Sequence, residues 1–139
     1  NNNDNNDDNN EIKYDNDINI NGGKTILDKF KSVWLRDELT NFVRGKAAIC
    51  CANILRWGNK YYISDYRSLA NYLFNEFFNK QSDGDALLPS LYALKGIVIN
   101  EYFQQLFISE AGIDKLAKIL ESNKQHHQVV YLVSYCLWV

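Results

Sequence analysis

Apolar residues recur every three or four positions along most of this chain, a spacing that predicts helices. In residues 24–34 the pattern is Ile26, Leu27, Phe30, Val33 and Trp34. A second helix is expected over 37–57, with Leu39, Phe42, Val43, Ala47, Cys50, Cys51 and Ile54 as its packing stripe. Asp37-Glu38 would favour the dipole at its start. Trp57-Gly58-Asn59 would end it, Gly58 taking the left-handed conformation. Ser64 or Asp65 is expected to cap a third helix, striped by Leu69, Ala70, Leu73, Phe74, Phe77 and Phe78. A polar connection at 81–85 leads to a fourth, which carries Leu88, Leu91, Leu94, Lys95 and Val98. Pro89 is expected in its first turn, where a missing N–H matters least.

Three closely spaced elements follow. A helix over 101–109 would turn Tyr102, Leu106 and Phe107 inward, Ala111-Gly112 would make a tight corner, and 113–121 would align Ile113, Leu116, Ala117 and Leu120. Residues 126–139 are apolar nearly all round, which predicts a buried helix. A Val-rich strand is the competing reading. The preceding residues offer little to cover that last element, so the expectation is a chain cut inside a helix that further sequence would bury. Short helices, short turns and no hairpin punctuation predict an all-α fold, an armadillo/HEAT-like helical solenoid of ~40-residue repeats. A self-contained bundle is the alternative; the sharp Glu110-Ala111-Gly112 corner favours the solenoid.

Composition divides the chain. The first ten residues are seven Asn and three Asp. Such a segment has almost nothing to bury, so 1–23 is read as disordered and 24–139 as the helical repeats. Residues 1–21 carry a net charge of −5 and the rest carries +3. No cluster of Lys and Arg gives the footprint of nucleic-acid binding. The longest apolar run, 129–139, is too short for a membrane span of ~20 residues. No charged-then-apolar start marks a signal peptide. Cys50, Cys51 and Cys136 are odd in number and lack C-x-x-C spacing, which points to reduced, mostly buried thiols.

Candidate chemistry is sparse. Gly22-Gly23-Lys24-Thr25 resembles the end of a phosphate-binding loop, but Ile18 stands where its first glycine should be. A flexible hinge is the plainer reading. His126 and His127 are adjacent, whereas two metal ligands on one helix face need a spacing of three or four. No nucleophile, base and orienting group fall into a pattern. No catalytic, cofactor or metal residue is assigned, and no contact residue for a partner. Trp34, Trp57 and Trp138 lie within apolar stripes and read as core.

Three segments, in order and spacing, resemble one family. They are Arg56-Trp57-Gly58-Asn59-Lys60, then Asn100-Glu101-Tyr102-Phe103 leading into Phe107-Ile108-Ser109-Glu110-Ala111-Gly112-Ile113, then the run from Gln128 to Val139. Together they look like the H-type regulatory subunit of the vacuolar-type proton-pumping ATPase. The likeness covers roughly residues 35–139, about a quarter of that family's length, within its armadillo-like N-terminal domain. Phe103 stands where the family usually has Arg, and the acidic head has no counterpart. The resemblance implies a non-catalytic component without cofactor. It would bind the peripheral stalk on the cytosolic face of acidic organelles, couple hydrolysis to proton transport and restrain hydrolysis when the pump's sectors separate. An unrelated armadillo or HEAT adaptor is the second reading. Such carriers set Asn and Trp in register along a groove, and only Asn53 with Trp57 has that spacing here.

Overall fold

The computed structural model describes residues 20–78 and 84–139, with side chains described for 26–74 and 86–139. The expectations for 1–19, for the side chains of Phe77 and Phe78, and for most of the 81–85 connection lie outside the described residues. Every regular element among the described residues is helical. They are α1 (Ile20–Trp34), α2 (Asn41–Leu55), α3 (Ile63–Phe78), α4 (Gly84–Ile97), α5 (Glu101–Ser109), α6 (Gly112–Ser122) and α7 (His127–Trp138). A 3-10 turn, Lys60–Tyr62, leads into α3.

Local chemistry sets the boundaries. Helix α1 begins at Ile20, so Gly22-Gly23-Lys24-Thr25 are helical and form neither a loop nor a hinge. Helix α2 starts at Asn41, four residues later than expected. Thr40 is extended (φ −62°, ψ 148°) and its hydroxyl accepts from Val43 N–H, which makes it the N-cap. The backbone before it still bonds back toward α1, through Arg36 N–H to Val33 and Leu39 N–H to Arg36. Asp37 and Glu38 therefore precede the helix and pair with Arg44 and Arg36. Ser64 and Asp65 fall in the first turn of α3 rather than capping it, because the 3-10 turn already supplies the entry. Asp65 instead binds Lys31 at 3.1 Å, which ties α3 to α1.

Helix α2 packs on α4 and α4 on α7, with α1 covering α2; α3 packs on α5, and α6 lies against both. Contacts of α3 with α2 and α4, and of α6 with α7, close the core between these two rows. The face that α2 buries shares Ala47 and Cys51 with the expected stripe and otherwise differs from it. Arg44, Gly45, Ala47, Ala48, Cys51, Ala52 and Leu55 are buried, whereas Phe42 and Val43 are exposed. Helix α2 lies between α1 and α4, and the close approach of α4 selects small side chains. Pro89 meets it there, in the middle of α4 rather than its first turn. A Cβ on Gly45 would lie 2.3 Å from Pro89 Cβ. Arg44 closes the other side: its Nε donates to the Trp34 carbonyl at 2.9 Å, satisfying a backbone acceptor left open at the end of α1.

The second row is aromatic. Phe103 and Phe107 are buried and stack at 5.9 Å, and Phe74 meets Phe107 at 5.5 Å. Tyr102 and Leu106, expected inward with Phe107, are only partly buried. The corner into α6 is tight, but its left-handed residue is Ala111 (φ 56°), at a cost of ~1–2 kcal/mol. Gly112 serves closeness instead, since a Cβ there would lie 2.4 Å from the Phe107 ring. Helix α6 buries Leu116 and Ile119, while Ile113 and Ala117 face outward.

Residues 127–138 are a helix, not a strand, capped by His126, whose Nδ1 accepts from Val129 N–H. Only Val129, Leu132, Val133 and Cys136 are buried, so the expected all-round burial is replaced by one stripe. Of the three tryptophans read as core, Trp34 alone is buried; Trp57 is 80 % and Trp138 83 % exposed. Cys51 and Cys136 are buried, Cys50 is half-buried, and all three are free thiols. Burial pushes Cys51 and Cys136 up to about 12, which keeps them protonated.

Candidate protein-binding groove

Helices α2, α4 and α7 each turn one face to a common groove. On α2 and the residue that follows it, Lys46, Ile49, Asn53 and Arg56 recur at three, four and three. Tyr92, Lys95 and Gly96 come from α4 and Tyr135 from α7. Together they line an open depression of about 440 Å³. Its lining has three cations and two tyrosines, with no carboxylate, imidazole or thiol. Pairs of side chains hold its far wall. Lys95 Nζ donates to the Tyr131 hydroxyl at 3.1 Å and lies 4.9 Å from the ring centroids of both Tyr131 and Tyr135. Gln128 Nε2 donates to the Tyr92 hydroxyl at 2.6 Å. The bond to Tyr131 holds the Lys95 ammonium above the usual lysine range, so it stays charged. The other two cations also rest on rings, Lys46 at 5.2 Å from Phe42 and Arg56 at 5.2 Å from Trp57.

A side-chain amide organises the end of the groove. Asn100 is buried just before α5. Its Oδ1 accepts from Tyr102 and Phe103 N–H, capping α5. Its Nδ2 faces the carbonyls of Gly58 at 3.0 Å, Arg56 at 3.1 Å and Leu55 at 3.4 Å, and the Tyr66 hydroxyl at 3.2 Å. One residue thus caps the start of α5 and the end of α2. Tyr66 donates to the Leu55 carbonyl, and burial pushes its phenol up to about 12. Gly58 is not left-handed, as no described glycine has positive φ. A side chain is excluded for another reason: a Cβ would sit 2.5 Å from the Tyr66 hydroxyl.

The arrangement suits docking. Fixed cations and phenols can bind carboxylates, and rings add contact area at low entropy cost. A larger depression, about 590 Å³, is lined by the single run 121–127, the connection from α6 to α7, so no elements distant in sequence converge on it. His126 is engaged as the α7 cap, and the described residues hold no cluster of three His, Cys, Asp or Glu fit for a metal. No described helix is long and apolar enough to cross a membrane.

Asn53 and Trp57, the pair singled out by spacing, lie at the groove but differ: Asn53 lines it, and Trp57 stands beside Arg56 at its end. Spacing sets Lys95 in an apolar stripe, yet its head belongs to the groove. Tyr92, Tyr131 and Tyr135 escape a reading of the sequence, although Gln128, Tyr131 and Tyr135 repeat at three and four on one helix face. Lys46 and Arg56 carry no signal alone, because three cations scattered over fifty residues make no cluster in sequence. No family model, no curated protein and no solved structure matches this chain.

Proposed function

We propose that this chain is a non-catalytic, protein-binding piece of an armadillo-type scaffold, with the role of the H-type regulatory subunit of a vacuolar-type proton pump. In this reading the groove on α2, α4 and α7 docks the peripheral stalk at the cytosolic face of an acidic organelle. The observation that carries it is the Asn100 node. The first two segments behind the resemblance are distant in sequence, yet Asn100 reaches the Leu55, Arg56 and Gly58 carbonyls directly. The third segment supplies Gln128, Tyr131 and Tyr135 to the groove wall. Packing of α2 on α4 and α4 on α7, with a second row behind, supports helical repeats stacked side by side.

The groove would serve an unrelated adaptor equally well, so the test must name the partner. Tagged chain is incubated with purified peripheral-stalk proteins at physiological salt, and retention of the stalk is expected. Lys46→Glu combined with Lys95→Glu is expected to abolish retention while leaving the helical circular dichroism unchanged. A folded chain that retains no stalk removes the pump assignment. Retention untouched by the double substitution removes the groove as its surface.

A further inference from the structure

We propose that the acidic head of this same chain, residues 4–17, occupies the groove on α2, α4 and α7 in cis. The inference rests on that groove as the docking surface and not on the pump assignment. Its basis is charge. The head carries Asp4, Asp7, Asp8, Glu11, Asp15 and Asp17 against Lys13 alone. The groove gathers Lys46, Arg56 and Lys95 with no carboxylate in its lining; Glu101 belongs to the neighbouring depression with Asn100. Lys46 and Lys95 are available, since each rests on an aromatic ring and neither has a carboxylate within salt-bridge distance among the described residues.

Reach permits it. The head joins α1 at Ile20, and α1 packs on α2, the first wall of the groove. Nineteen residues precede Ile20. A chain of that length spans up to ~60 Å when extended, while packed helix axes lie ~8–10 Å apart. Tethering gives the head an effective concentration in the millimolar range, so weak carboxylate–ammonium contacts suffice for occupancy. A partner must then displace the head, and an acidic partner segment would compete for the same cations.

Zero-length carbodiimide coupling of the full chain tests this. The reagent activates a head carboxylate, a lysine Nζ attacks it, an amide bond forms and the reagent leaves as a urea. The monomer fraction is digested and read by mass spectrometry. Amides joining the head to Lys46 and Lys95 are expected to exceed those to exposed Lys118 and Lys124 by about tenfold, and to fade as salt shortens the screening length. Equal coupling to all four lysines overturns the proposal. So does coupling found only in the dimer fraction, which would make a second copy the occupant. If a single-stranded oligonucleotide instead shields Lys46 and Lys95 in a chain whose head does not couple, nucleic acid is the ligand and the proposal fails. Stalk retention in the previous experiment is independent of these results, so either reading can fail alone.

Discussion

The two rows of this molecule solve the packing problem by opposite means. Between α2 and α4 the contact is made by what is missing: Gly45, Ala48 and Ala52 let the backbones approach, and Pro89 fills the space that a Cβ at Gly45 would need. Between α3, α5 and α6 it is made by bulk, with Phe107 in ring contact with both Phe74 and Phe103 and Tyr66 stacked on Tyr102. A seam of small residues is rigid because backbones and a proline ring cannot yield. A ring-filled layer is strong because each aromatic removes a large area from water. The row with the seam also carries the groove, where positions of Lys46, Tyr92 and Lys95 follow directly from backbone positions.

The aromatic layer predicts the largest loss. Phe103→Ala removes a fully buried ring from contact with Phe107 and should destabilise the chain by ~3–5 kcal/mol in urea unfolding. A loss below ~1 kcal/mol would mean that this layer collapses around the cavity and is not packed as described. The seam predicts a smaller loss with an unexpected sign. Glycine to alanine inside a helix ordinarily stabilises by ~0.5–1 kcal/mol. At Gly45 the new methyl would meet Pro89 Cβ at 2.3 Å, so Gly45→Ala should instead destabilise by ~1–3 kcal/mol. A stabilised Gly45→Ala protein would show that α2 and α4 stand further apart.

The same contrast explains what is legible in the sequence. Large apolar residues at helical spacing announce themselves, which is why spacing predicts every one of α1 to α7 and places α5 at Glu101–Ser109. A face of small residues does so only in part: Ala47 and Cys51 fall in the expected stripe and are buried. Spacing draws the α2 stripe through Phe42 and Val43, which are exposed, and passes over Gly45, Ala48 and Ala52, which make the seam. Buried polar work is hidden for a related reason. Arg44 and Asn100 are buried because they satisfy carbonyls at helix ends, and those ends become neighbours only in the fold. Phe103, which differs from the residue usual in the family that the sequence resembles, proves to be a core ring. Groove residues follow the same logic, since α2, α4 and α7 contribute one to three each, with Arg56 just after α2, and only stacking adds them up.

The smallest effect separates a rigid neighbour from a yielding one within the seam itself. Gly96 lies in the last turn of α4, and a Cβ there would meet Asn53 Oδ1 at 3.1 Å and Ala52 Cβ at 3.5 Å. The second distance is ordinary contact. The first involves the far end of an exposed side chain on the groove rim, which can rotate by a few tenths of an ångström. Gly96→Ala should therefore keep the usual helical gain and stabilise the chain by ~0.5 kcal/mol, opposite in sign to Gly45→Ala. Both variants have the same chemistry and lie on the same helix pair, so propensity cancels from the comparison. If both destabilise equally, the seam is uniformly tight and Asn53 is held as firmly as Pro89. That result would make Asn53 a fixed part of the groove wall rather than a side chain free to meet a ligand.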